Sequence, residues 1–227
     1  MVLAFFKSSS GDGNFDNIVA KSVGMLGDAR HSFDLATLAL LTQTDAESVA
    51  ADIRQTDDRI NAAEQELRSE LIVHVSVQGS ADVGSVLGFT LLLKRIERIG
   101  DQAKNILDLA ENGVSLAGSK NISELLEGRE AVSLLFVGAS ELLGDPDPGE
   151  EAIETFSERA TAIADAYQTE IDGFMTTERP GHEVVPLAIY YRYLRRIVAN
   201  LDGVVRTSSV PFPQAGYLED GTVDTDD

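Results

Sequence analysis

Apolar residues recur along this chain at spacings of three and four rather than two, the rhythm that gathers side chains on one face of an α-helix. The rhythm breaks at clusters of Gly, Pro and Asn, which mark connections. A first helix is predicted from about Asn14 to Leu41, closed by "TQT". "TDAE" at 44–47 then has the form of a capping box, Thr44 as N-cap with Glu47 three residues on. The second helix carries Ile53, Ile60, Ala63, Leu67 and Leu71 on one stripe and continues to about Val77. "QGS" interrupts it, and Ser80 is expected to cap a third helix. There Leu92, Ile96, Ile99, Ala103, Ile106 and Ala110 form the seam of a bundle helix, ended by "ENG" at 111–113.

A second set follows. One helix is predicted over about Ile122–Leu143, closed by Gly144. The next is led by "DPGE" at 147–150, with Asp147 as N-cap and Pro148 at the first helical position, and reaches about Met175. After the loop "TTERPGHEVVP", a last helix over about Pro186–Arg206 places Leu187, Tyr190, Leu194, Ile197, Leu201 and Val204 on one face. Its seam matches that of the third helix. The fold class is therefore all-α, two pseudo-repeated antiparallel three-helix bundles, with an internal duplication joined near "NGVSLAGSKN". The expected division is a first repeat over 1–113, a second over 114–207, and an acidic tail over 208–227 that reads as disordered.

Composition narrows what such a bundle can do. The 227 residues hold 38 acids against 18 bases, a formal charge of −20. Phosphate neutralisation needs clustered Lys and Arg, so nucleic acid is not the expected partner. The excess of acid is spread along the chain, which points to a halophilic cytoplasm where salt screens the self-repulsion. Without Cys there is no thiolate, disulfide or zinc-ribbon chemistry, and with three His any metal site is expected to be oxygen-rich. No run of about 18 uncharged apolar residues occurs, and the apolar start "MVLAFF" is too short for a signal segment. The expected location is cytoplasmic.

The chemistry gathers in "RIERIGDQAKN", 95–105. On a helix, Glu97 and Asp101 stand four apart on one face, and Asn105 and Asp108 continue that stripe beside the apolar seam. Like charges at this spacing cost a helix roughly 0.2–0.5 kcal/mol, so a cation is needed. Either Lys94, Arg98 and Lys104 supply it as exposed intrahelical pairs, or a metal does. For a metal, the second helix offers Asp57, Asp58, Asn61 and Glu64 within two turns, hard oxygen donors that suit Mg, Mn or Fe.

"LKRIERIGDQAKNI", 93–106, resembles the third-helix signature of the PhoU family, Leu-Glu-Arg-Ile-Gly-Asp followed by an Ala and an Asn-Ile pattern. The correspondence lies at Glu97, Arg98, Ile99, Gly100, Asp101, Ala103, Asn105 and Ile106. "TDDRINAAEQEL", 56–67, is similar to the family's second helix, and the layout over about 14–206 to its duplicated architecture. The resemblance implies a regulator of phosphate uptake and signalling. Its implied partners are phosphate ABC-transporter subunits or a sensor kinase, which would bring it to the membrane peripherally; a homodimer is a further expectation. It also implies metal held through ExxxD motifs, here by Glu97 and Asp101 with Asp57, Asp58, Asn61 and Glu64, the ion being Fe, Mn, Mg or Zn. Gly100 would let a neighbouring helix or ligand approach closely.

The second half departs from this pattern. In "YLRRIVANLDGVV", 193–205, Arg195, Val198 and Ala199 stand where the first half has Glu97, Gly100 and Asp101, and Ala160 and Thr161 replace Asp57 and Asp58. Metal binding is therefore expected in the first repeat alone. The competing class is a metalloprotein whose carboxylate-bridged Fe or Mn cluster does redox or hydrolytic work. "DARH" at 28–31 lacks the second copy that a di-iron bundle needs, so His31 is expected at a surface or interface, and His74 in the core. "YYRYLRR", 190–196, is the basic cluster that could meet phosphate directly, though its Arg residues more simply neutralise local acids. No P-loop, dinucleotide or nucleophile-elbow motif occurs, so no enzyme is expected.

Overall fold

The structure, a computed structural model, describes residues 14–78 and 83–209. They form six helices in chain order, α1 Asn14–Leu41, α2 Ala46–Gln78, α3 Val83–Glu111, α4 Ile122–Gly144, α5 Glu150–Met175 and α6 Gly181–Ser209, with no strand among the described residues. The periodic seams become the core. Ile53, Ile60, Leu67 and Leu71 of α2, Leu92, Ile96, Ile99, Ala103 and Ile106 of α3, and Leu187, Tyr190, Leu194, Ile197, Leu201 and Val204 of α6 are all buried.

Helices α1, α3, α4 and α6 pack together in the middle, α3 against α6 and α1 against α4. Around them, α2 lies on α1 and α3, while α5 lies mainly on α6. The first three and last three helices share a continuous hydrophobic core. Phe33 of α1 and Phe136 of α4 meet there with ring centroids 5.5 Å apart; burying each such side chain contributes roughly 1.5–3 kcal/mol. Beside them Arg129 of α4 holds Asp34 of α1 at 2.6 Å, and Arg30 reaches the same carboxylate at 3.6 Å.

Ion pairs fasten α2 along its length. Lys21 of α1 bridges Glu66 and Glu70 at 2.6 Å each, Arg59 meets Asp28 at 2.9 Å, and Arg54 meets Glu111 of α3 at 2.7 Å. His31 contacts Asp52 at 3.0 Å between α1 and α2, an interface position, and His74 is buried. None of the described helices is long and apolar enough to cross a membrane.

The helix ends depart from the pattern-based expectations at four places. At α2 the capping side chain belongs to Asp45, whose Oδ1 accepts from the Glu47 N–H at 3.3 Å. Thr44 is engaged instead with Thr42, whose hydroxyl donates to Thr44 Oγ1 at 2.9 Å. At α5 the N-cap is Gly149, with Asp147 turned back so that its N–H reaches Asp145 Oδ1 at 2.9 Å; Pro148 therefore precedes the helix. And α6 begins at Gly181, with Pro186 inside it. Pro180 accepts from Glu183 N–H at 2.9 Å and Val184 N–H at 3.3 Å, closing a turn before Pro186. The carbonyl that Pro186 leaves without a donor belongs to exposed His182, where water can satisfy it. At its other end α6 passes the expected boundary at 207 and continues to Ser209, Ser208 being buried. The Ser80 cap and the tail from 210 onward lie outside the described residues.

The connection between the two sets is pinned. Gly113, at φ 83°, adopts the left-handed conformation that glycine takes without steric cost. Its N–H reaches Ala110 O and that of Val114 reaches Leu109 O, both at 3.0 Å, which ends α3 as a Schellman turn. Leu116 N–H then donates to Leu40 O at 2.9 Å, tying the connection to the end of α1.

Candidate functional site

The antiparallel packing of α2 on α3 brings the two acidic segments side by side. Gly100 makes this possible: a Cβ there would lie 3.1 Å from Ile60 Cδ1, tighter than ordinary contact, so the bare backbone admits Ile60. Ile60 and Gly100 are both buried, and they set the register for the polar residues on either side.

At one side sits Lys104. Its ammonium is 2.9 Å from Asp57 Oδ2 on α2 and 3.3 Å from Asp101 Oδ1 on α3. Asn61 also donates to Asp57 Oδ2, at 3.4 Å. Asp57 is largely covered, with 15% of its side chain exposed, whereas Asp101 is 42% exposed. Burial alone would lower the pKa of Lys104; the hydrogen bond and charge of Asp57, followed by those of Asp101, outweigh it and hold the group above the ordinary lysine value.

Toward the other end, Glu64 and Glu97 are the two most enclosed acids of the set, with side chains 11% and 14% exposed. Glu64 lies 2.9 Å from Arg68 and Glu97 lies 2.7 Å from Lys94, each a cation one turn along the same helix. Glu64 Oε1 and Glu97 Oε2 gain attraction from these charges without an aligned hydrogen bond. Asp58 is exposed. Among the described residues, no three His, Asp or Glu side chains converge in an arrangement that could hold a metal. The six expected residues therefore do not fit a carboxylate cluster as arranged; apart from exposed Asp58 and Asn61, each is met by a Lys or Arg of the chain.

Pattern reading missed the contacts between the two repeats. Arg95 of α3 lays its guanidinium over Gly203 of α6, so closely that a Cβ there would fall 2.6 Å from Cζ. Next to it Asp202 pairs with Arg206 at 2.8 Å. Arg95 stands within the quoted motif, and Gly203 at the helical position that bears Asn105 in the first repeat. A glycine on an otherwise regular seam was the available signal.

The "YYRYLRR" segment divides around its helix. Tyr190 and Tyr191 are buried in an aromatic group with Tyr167 and Phe174, and Tyr167 donates to Gly128 O at 2.8 Å. Burial pushes the Tyr191 hydroxyl up to about 12. It raises Tyr190 further, Tyr190 being wholly enclosed with no hydrogen bond to its hydroxyl. Arg192 and Arg196 are exposed and engaged.

Exposed apolar residues collect where α2 ends and α3 begins. Ile72, Val73 and Val77 are 66%, 60% and 76% exposed, and Val83, Leu87 and Leu91 form an outward stripe on α3 at 39%, 44% and 39%. From 71 to 93 the sequence holds one acid, Asp82, and no Lys or Arg.

Comparison with known proteins agrees with this geometry. A family model described as the PhoU domain matches residues 23–110, which span α1, α2 and α3. Among solved structures, the chain is similar to PhoU from Pseudomonas aeruginosa, with a TM-score of 0.69 at 17% identity, covering 88% of this chain and 97% of that one. No curated protein matches.

Proposed function

We propose, from the premise that this chain belongs to the PhoU family, that it regulates phosphate transport by docking to other proteins rather than by catalysis. The observation that carries this reading is the family match over α1–α3, the helices that bear "ERIGD" and its facing acids. The fold supports it through the likeness of both repeats to a solved PhoU protein. The partners are phosphate ABC-transporter subunits or a sensor kinase, met on the cytoplasmic side of the membrane.

The surface offered to them is the end of the α2–α3 hairpin. Large apolar side chains scattered singly on a surface are ordinary, whereas grouped they mark a recognition patch. In a chain of charge −20, this stretch, with Asp82 as its one charge, is also where an acidic partner can approach with little repulsion. Capture of the tagged full chain in its own host, at high salt and under plentiful and scarce phosphate, tests the reading. A transporter ATPase or kinase should co-purify with the native chain and be lost from Ile72→Asp/Val77→Asp. Recovery of neither partner in both conditions overturns it.

A further inference from the structure

We propose that Lys104 is the resident cation of the α2–α3 carboxylates: its ammonium, bridging Asp57 and Asp101, takes the place a metal ion would hold and keeps the first repeat metal-free. This goes beyond the docking reading and does not depend on it.

The geometry is that of a bridging cation. Lys104 Nζ contacts a carboxylate on each of the two helices, at 2.9 Å and 3.3 Å. Both contacts are charge-assisted, the stronger class of hydrogen bond. A hard metal ion asks for six or more oxygen ligands at roughly 2.0–2.6 Å. To enter here it must expel an ammonium tethered to the same helix, an internal competitor present at high effective concentration.

Charge decides the same way. Asp57, Glu64, Glu97 and Asp101 bring four negative charges; Lys104, Arg68 and Lys94 bring three positive ones. One net negative charge remains, a weak attraction for a di- or trivalent ion. The enclosed acids are the ones most in need of neutralisation, and each already has its cation. In the second repeat Arg195 occupies the position of Glu97 outright, so both halves meet this position with charge drawn from the chain itself.

The test uses the full chain and three variants, Lys104→Gln, Lys104→Arg and Asp57→Asn/Asp101→Asn. Each is incubated with Mn²⁺, Fe³⁺, Mg²⁺ or Zn²⁺, desalted, analysed for bound metal, and melted with and without the ion. The native chain and Lys104→Arg should retain no stoichiometric metal and show no shift in melting temperature. Lys104→Gln, with two carboxylates released, should retain metal and melt higher in its presence, a gain absent from the double Asn variant. Stoichiometric metal in the native chain overturns the proposal. So does a folded Lys104→Gln protein that takes none.

Discussion

Replacing Gly203 by Ala tests how the two repeats are joined. The new Cβ would stand 2.6 Å from Arg95 Cζ and 2.7 Å from Nε, inside any normal contact distance. The guanidinium must retreat from the α3–α6 seam or the helices must part. Because these atoms are the far end of a flexible side chain, the displacement sits at the low end of overpacking costs, about 1 kcal/mol, against which Ala in a helix interior returns about 0.5–1 kcal/mol over Gly. The net expectation is destabilisation of at most about 0.5 kcal/mol, and at about 2–4 °C per kcal/mol for a chain of this size the melting temperature should fall by no more than about 2 °C. Gly27 supplies the control: it is exposed on α1 with nothing within 4 Å of an added Cβ, so Gly27→Ala should stabilise by about 0.5–1 kcal/mol. Denaturant titrations at fixed salt, repeated in an Arg95→Ala background, complete the cycle. There the obstacle is gone and Gly203→Ala should behave like Gly27→Ala. If Gly203→Ala stabilises the native chain as much as Gly27→Ala does, the guanidinium is not seated on the glycine and the reasoning fails.

Tyr190→Phe removes a buried hydroxyl that has no hydrogen-bond partner. Stability should hold or rise by about 1 kcal/mol, and a loss above that in urea titration would mean the hydroxyl is satisfied. Lys104 contributes through a folded-state pKa raised above 10.5, so its contribution is complete below that pH and is lost as pH rises through the raised value. The gap in denaturation midpoint between native chain and Lys104→Gln, no more than about 1 kcal/mol for so accessible a group, should narrow above about pH 10.5; a constant gap refutes the assignment. Ile72→Asp/Val77→Asp alters well-exposed positions and should leave the melting temperature within about 0.5 kcal/mol of native while abolishing partner capture. A large fall would mean these side chains support the fold.

Much of the fold was legible because the seams of α2, α3 and α6 are long and regular. Ile96, Ile99, Ala103 and Ile106 announce one buried face without any knowledge of what covers it. Helix ends were less legible, since Thr44, Asp45 and Asp147 are all competent caps and the choice rests on the backbone path around them. Pro186 read as a start because its missing N–H usually marks one, and only the turn closed at Pro180 shows otherwise. For the acidic site, the spacing of Glu97 and Asp101 was readable, and so was the need for a cation. Lys94 and Lys104 were readable as intrahelical cations for Glu97 and Asp101; that Lys104 also reaches Asp57 was not, because the two stand forty-seven residues apart and meet only through the register of Ile60 against Gly100. The Arg95–Gly203 contact was hidden for the same reason, as it depends on how one repeat sits on the other.

The pinned connection at Gly113–Leu116 and the apolar hairpin end lie at opposite ends of the same two helices. Helix α2 has 33 residues, which at 1.5 Å per residue is a rod of about 50 Å. A protein seated over Val77 and Val83 would therefore leave the far end of the molecule, with the loops that join one repeat to the other, open to solvent. The α2–α3 pair is thus a spacer that holds the apolar hairpin end away from the connection between the repeats.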